Sequence, residues 1–250
     1  MTRKHFLSLL LLIAFNPLHA QQTVSFSSGE YQTNLIELYT SEGCSSCPRA
    51  DKWLSKLNDE RKLWEEYIPL ALHVDYWDYL GWSDRLAEHE FSLRQSKHKE
   101  EGNIRSVYTP GFVVNGSEWR GFFGVDRTIP QSGAKPGRMH LEAGKYTYSV
   151  QFDPAQDKNT KYHLAILGNG FAHQIKAGEN GGKTLKHDFA VIALDSTYSE
   201  NGVASFNAPI ITHKGAKQYA IVAWASNPDS LKPIQAVGGW LPENLVKTAF

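Results

Sequence analysis

The sequence predicts an α/β unit followed by an antiparallel β-sandwich, α+β overall. Three observations carry this expectation. An apolar, strand-like run at residues 35–39 leads through a polar turn into Cys44-Ser45-Ser46-Cys47 at the start of a helical pattern. A second apolar run at 68–75 (IPLALHVD) is followed by a hairpin signal at Asn115-Gly116. Past residues 131–138 (QSGAKPGR) the chain changes to short alternating segments separated by turn residues.

Before the first strand lies a leader. Arg3, Lys4 and His5 are basic, residues 6–15 are apolar, and Asn16-Pro17 breaks the run ahead of Ala20. The run is too short for a bilayer span of about 20 residues and has the layout of a secretory signal. Residues 1–20 are therefore expected to be removed, leaving no stable membrane span and a periplasmic or secreted protein. The 250-residue chain balances 26 Lys and Arg against 26 Asp and Glu. It has no bulk attraction for nucleic acid, so no nucleic-acid partner is expected.

The cysteines define the first unit. There are two, and both sit in one Cys-x-x-Cys, so they staple nothing distant. Ala50, Trp53, Leu54 and Leu57 fall on one helical face, and Pro48 suits a first turn. The cysteines thus lie at a helix start, where free amides and the dipole favour a thiolate. Arg49 would add to this and Glu42 would oppose it. A redox-active Cys44–Cys47 disulfide, with no other cofactor, is the leading reading, because strand–Cys-x-x-Cys–helix is the setting of a thioredoxin-like motif. Two others stay open. One is an inert disulfide. The other is a metal such as copper held by Cys44, Cys47 and His73, since thiolates and imidazole suit it. A single Cys-x-x-Cys without a partner motif is poor evidence for zinc.

The run at 68–75 is the second strand. His73 and Asp75 lie two apart and share a face. Asp75 is a candidate proton acceptor for the second thiol, and His73 reads first as a hydrogen-bonded core residue. Tyr76, Trp77, Tyr79 and Trp82 follow in an aromatic-dense loop. If the two strands are parallel, this loop shares a rim with Cys44. Tyr76 and Trp77 then become candidate substrate-binding residues, the alternative being a loop that covers the sheet end. Ser83 reads as a helix cap with Asp84 in the first turn. Residues 94–101 are mostly charged and read as a solvated face. The Thr109-Pro110 pair leads into the hairpin, read as residues 112–114, Asn115-Gly116 and 119–122. Pro130, Gly133, Pro136 and Gly137 leave little room for a helix after it.

Residues 35–57 (LIELYTSEGCSSCPRADKWLSKL), the stretch LHVDYWDYLGW, the stretch RSVYTPGFVVNG and the later GENGGKTLKHDF at 178–189 together resemble the DUF1223 family. That resemblance implies an exported bacterial protein of unassigned function with a thioredoxin-like fold. The wider thioredoxin likeness implies a nucleophilic Cys44, a resolving Cys47 and a cis Pro110 opposite the pair, with Thr109 beside it at the substrate. Thiol–disulfide exchange on an exported protein or a small thiol is the expected function, with a redox partner the sequence does not identify. A non-catalytic binding protein, for a metal or a protein partner, is the alternative.

The second unit is read from six strand candidates at 141–152, 162–167, 185–194, 203–211, 218–225 and 234–240. Tyr146, Tyr148 and Val150 alternate with polar residues as a half-buried strand does. His140, His163, His173, His187 and His213 are scattered and read mostly as surface residues. The expected organisation is a leader at 1–20, a thioredoxin-like unit at 33–130 and a β-sandwich at 137–250.

Overall fold

A computed structural model describes residues 23–248 apart from 156–158, 201 and 214, so the expected leader lies outside the described residues. Among those described, no helix is long and apolar enough to cross a membrane. The chain is a mixed α+β protein made mostly of sheet.

It starts with β1 (Val24–Ser27) and β2 (Asn34–Thr40), then α1 (Cys47–Ser55), β3 (Tyr67–His73), α2 (His89–Glu100) and the hairpin β4 (Gly111–Val114) and β5 (Ser117–Glu118). Strands β2 and β3 are parallel, as the rim argument requires, and β4 runs antiparallel to β2. Every position of β2 and β3 is buried, which fits strands covered on both faces. Asn115 and Gly116 both take positive φ in the hairpin turn, as an Asn-Gly pair between strands should. The second hairpin strand is shorter than expected, because Gly121–Phe123 turns into a 3₁₀ helix.

The helices take opposite faces of the sheet, and side-chain alternation along β2 says why. Thr40 donates to Asp51 of α1 at 2.7 Å, while Glu37 receives Arg94 of α2 at 2.8 and 2.9 Å. The expected solvated face at 94–101 is corrected here: Arg94, Gln95 and His98 are buried. Buried Glu37 draws Arg94 and His98 inward, accepting from Tyr39 (2.7 Å) and facing His98 (3.3 Å) as well. Burial alone would raise the Glu37 carboxyl, but Arg94 and His98 overcome that and hold it well below the ordinary range. The helix also starts later than expected. Ser83 caps nothing, and Asp84 turns inward to the ring of His73 at 2.7 Å.

The rest of the chain is β6 (Arg138–Ala143), β7 (Thr147–Asp153), β8 (Lys161–Asn169), β9 (Phe171–Gln174), β10 (Thr184–His187), β11 (Ala190–Tyr198), β12 (Val203–Asn207), β13 (Ile210–Ile211), β14 (Gln218–Ser226), β15 (Pro233–Leu241) and β16 (Lys247–Thr248). A break at 130–137 does not separate two sheets. Eight strands form one sheet in the order β15-β14-β8-β11-β3-β2-β4-β5. The junction is the parallel pairing of β11 with β3, where Ala71 donates to the carbonyl of Phe189 at 2.8 Å. Without β11 the buried strand β3 would end the sheet with unpaired backbone groups.

A second sheet, β1-β6-β7-β12, packs on the far half of the first. Met139, Leu141, Tyr148, Val150 and Phe152 meet Leu164, Ile166, Ile221 and Val237 there. In this packing β1 from the N-terminal side completes one layer. The other layer belongs to the sheet that carries the cysteines. A second core surrounds β2, where Leu38, Ala50, Leu54 and Phe112 lie together.

Candidate functional site

The cysteine loop begins where β2 ends. The amide of Gly43 donates to the Ser41 hydroxyl at 3.0 Å, and that of Cys44 to the Ser41 carbonyl at 3.2 Å. Cys47 opens α1, with Pro48 in its first turn and no acidic residue there. Cys44 and Cys47 are joined as a disulfide, their Cα atoms 5.4 Å apart. Cys47 is fully covered and Cys44 is 3% exposed, whereas Ser45 and Ser46 are exposed. The Ser46 hydroxyl lies 3.3 Å from Cys44 Sγ.

The strand register brings the proline to this loop. Gly111 pairs with Tyr39, so Pro110 arrives beside the carboxyl end of β2. The Thr109–Pro110 bond is cis and Pro110 is buried. Trp77 links the two segments. Its indole N–H donates to Thr109 Oγ1 at 2.7 Å. It lies so near Gly43 that a Cβ there would sit 2.9 Å from Trp77 Cβ, which is why a glycine precedes Cys44. Tyr79 stacks on Trp77 with ring centres 6.4 Å apart and is 78% exposed. The Tyr76 hydroxyl donates to Gln95 at 3.1 Å, and Gln95 donates to the carbonyl of Tyr108 at 2.7 Å. Trp77 and Thr109 therefore stand at the cysteine loop, while Tyr76 braces the segment that carries the proline.

Two expectations are corrected. Asp75 is not a buried acceptor beneath the thiols. The strand ends at His73, and Asp75 turns to the start of α2, bonded to Ser92 and His89. Its slight burial raises the carboxyl, and those hydrogen bonds bring it below its ordinary range. His73 is not gathered with the cysteines as a metal ligand: its ring lies against His187, and the two sulfurs are joined to each other. The ion pair with Asp84 outweighs burial and raises the imidazole above its ordinary value.

The larger surprise lies beneath the loop, in a buried polar network. Glu42 Oε1 lies 2.6 Å from His173 Nδ1 and 3.2 Å from His187 Nε2, and Glu42 Oε2 accepts the Trp82 indole at 2.7 Å. Burial by itself raises this carboxyl, but the hydrogen bonds from His173, His187 and Trp82 outweigh it and leave Glu42 well below the usual range. Asp84 Oδ2 also accepts the Glu42 amide at 2.8 Å. His187 Nδ1 lies 3.9 Å from Asp51, whose carboxyl is raised by burial. The rings of His73 and His187 meet edge-on, 4.8 Å between centres.

His173 and His187 come from β9 and β10, a two-stranded ribbon in which Leu185 opposes His173 and Phe171 opposes His187. The ribbon packs on α1, and its loop closes over the cysteines. Asn180 donates to the carbonyls of Glu42 and Cys44 at 2.8 and 2.9 Å, and Glu179 accepts from the Ser45 amide at 2.9 Å. His163, His173 and His187 are thus buried, against the surface expectation. The stretch at 178–189 was the one signal of this arrangement in the sequence.

A family model described as a protein of unknown function (DUF1223) matches residues 35–225. No curated protein matches the chain. Protein AGR_C_4864 from Agrobacterium tumefaciens is similar in fold, with a TM-score of 0.52 at 20% identity over 86% of this chain and 97% of that one. HBP35 of Porphyromonas gingivalis is similar with a TM-score of 0.57 at 13% identity, over 89% of this chain and 78% of that one. At these identities the likeness speaks for the fold alone.

Proposed function

This chain belongs to the DUF1223 family, whose function is unknown, and from the chemistry of its site we propose that it is a thiol–disulfide oxidoreductase with a thioredoxin-like core. One observation carries the reading. The paired cysteines sit where a buried parallel strand meets a helix N-terminus, and Cys44 is the residue of the pair that keeps some exposure. The dipole of α1 favours a thiolate there, against the Glu179 carboxylate on the Ser45 amide. Ser45, Ser46, Trp77, Thr109 and Tyr79 frame the approach.

The exchange balances in two steps. In the reduced protein, the Cys44 thiolate attacks one sulfur of a substrate disulfide. An S–S bond forms between them, and the other substrate sulfur leaves as a thiolate. Cys47 then gives its proton to that thiolate and attacks Cys44 Sγ, and the second substrate sulfur departs. The Cys44–Cys47 disulfide forms and the substrate is reduced by two electrons. Run backwards, the same steps oxidise a substrate dithiol. In this reading the leader at 1–20 takes the protein out of the cytoplasm, and its substrates are exported proteins or small thiols.

The test uses glutathione disulfide as a model substrate. Reduced Cys47→Ser protein should retain one glutathionyl group on Cys44, visible by intact mass. Reduced Cys44→Ser protein should acquire at least tenfold less on Cys47 in the same time, about the difference of 1.4 kcal/mol in a barrier. Equal labelling of the two variants, or none in either with the fold intact, contradicts the proposal.

A further inference from the structure

We propose that Glu42, His173 and His187 form a binding site for a divalent transition-metal ion of the zinc class, separate from the cysteine pair. One ligand atom from each lies within 4.8 Å of the others, and all three residues are buried. Two imidazoles and a carboxylate are a familiar donor set for zinc, with a fourth position open. The three come from the loop after β2 and from the two strands of the β9–β10 ribbon, so the site forms only in the folded chain.

The geometry is near what an ion needs. Ligand atoms about 2.0–2.2 Å from a tetrahedral ion stand roughly 3.3 Å apart. His187 Nε2 and Glu42 Oε1 are already 3.2 Å apart, and His173 Nδ1 at 2.6 Å must open by roughly 0.7 Å. Room exists for that shift, because His173 lines a cavity of about 350 Å³ with Arg85, Leu86, Thr212 and His213. The same cavity gives an ion its way in.

A second observation concerns the groups around the site. Among the described residues, His187 Nδ1 and His73 Nε2 are buried without a hydrogen-bond partner. An orphaned polar atom of this kind is rare in a folded protein. With Nε2 on a metal, His187 carries its proton on Nδ1, which faces Asp51 Oδ2 at 3.9 Å. Closing that gap by about 1 Å, to hydrogen-bond distance, gives the carboxylate–histidine–metal arrangement of many metal sites. Glu42 keeps Trp82 on its other oxygen and stays oriented.

Zinc titrated into metal-free, fully oxidised protein tests the site, since the joined cysteines cannot act as thiolate ligands. One equivalent is expected to bind. Cobalt(II) in its place should give visible d–d absorption without a thiolate charge-transfer band. The Cys44→Ser/Cys47→Ser double variant should bind as the parent does. Asp51→Asn, which removes the carboxylate facing His187 Nδ1 and keeps an oxygen to accept from Thr40, should weaken binding about 10–100-fold. Glu42→Gln should weaken it by more than about 100-fold, beyond that outer-partner effect. Far-ultraviolet circular dichroism checks that both variants fold, and if Glu42→Gln does not, Asp51→Asn and the cobalt spectrum decide. No zinc uptake by the oxidised protein, or uptake by the reduced protein alone that the double cysteine variant abolishes, overturns the proposal. Neither result touches the exchange reaction, which is measured on the cysteines themselves.

Discussion

Arg94→Met is expected to destabilise the protein by about 3–5 kcal/mol, measured by urea unfolding at neutral pH. The reason is the company Glu37 keeps. It lies in the middle of β2 with its side chain 1% exposed, and Arg94 grips both of its oxygens. Removing the guanidinium leaves a buried carboxylate with Tyr39 and His98 as its remaining partners. The Arg94 guanidinium also lies over the Trp224 ring, 5.5 Å from its centre, so packing is lost with the charge. Replacing both partners, as Glu37→Leu with Arg94→Met, should recover much of the loss, because no unpaired charge then remains. A double-mutant cycle isolates the coupling. A loss below about 1 kcal/mol for Arg94→Met, the size of an exposed pair, contradicts a buried and fully paired Glu37.

Acid is expected to act before the carboxylates titrate. His163 is buried, its ring stacked on Trp224 and its Nε2 2.9 Å from the Ser226 hydroxyl. Burial, and then the charge of Arg94, pull its imidazole down to about 3. The unfolded chain holds that proton below about 6.5 and the folded chain does not. Stability therefore falls as pH drops through the window from about 6.5 to 3, at about 1.4 kcal/mol per pH unit from this group. Glu37 has the depressed carboxylate of a paired acid, so its contribution is present above about 4.5 and is lost below that. His73 works in the opposite sense, its raised value adding stability at low pH that fades as pH rises. Comparing the protein with His163→Gln cancels both. The variant should show a shallower fall between pH 6.5 and about 4.5, by about 1.4 kcal/mol per unit. Identical slopes for the two proteins contradict a neutral buried His163.

Much of the region around the cysteines was legible because its signals are local. The apolar run, the Cys-x-x-Cys and the i, i+3, i+4, i+7 face of α1 lie within 23 residues of one another, and Asn115-Gly116 announces its own turn. What the sequence concealed depends on contacts across long separations. Glu42 meets His173 and His187 from 131 and 145 residues away. Nothing in the spacing of scattered histidines betrays such a meeting, so they read as surface. Arg94 sits in a charged run that looks solvated until Glu37, 57 residues earlier, is placed opposite it. The composition change near residue 131 is real, but it marks a change from helices to strands rather than the edge of a sheet. Strand β11 crosses that boundary by a single pairing at Ala71, which leaves no trace in periodicity. Asp75 shows the reverse error. Two-residue spacing put it on the face of His73, but the strand ends first and the side chain turns away to Ser92 and His89.

The reduction potential of the Cys44–Cys47 pair, measured by equilibration in thiol buffers, tests exchange through this site most directly. An exchanging pair predicts a value between about −120 and −270 mV, the range of catalytic dithiols. A value below about −300 mV, where structural disulfides lie, contradicts it.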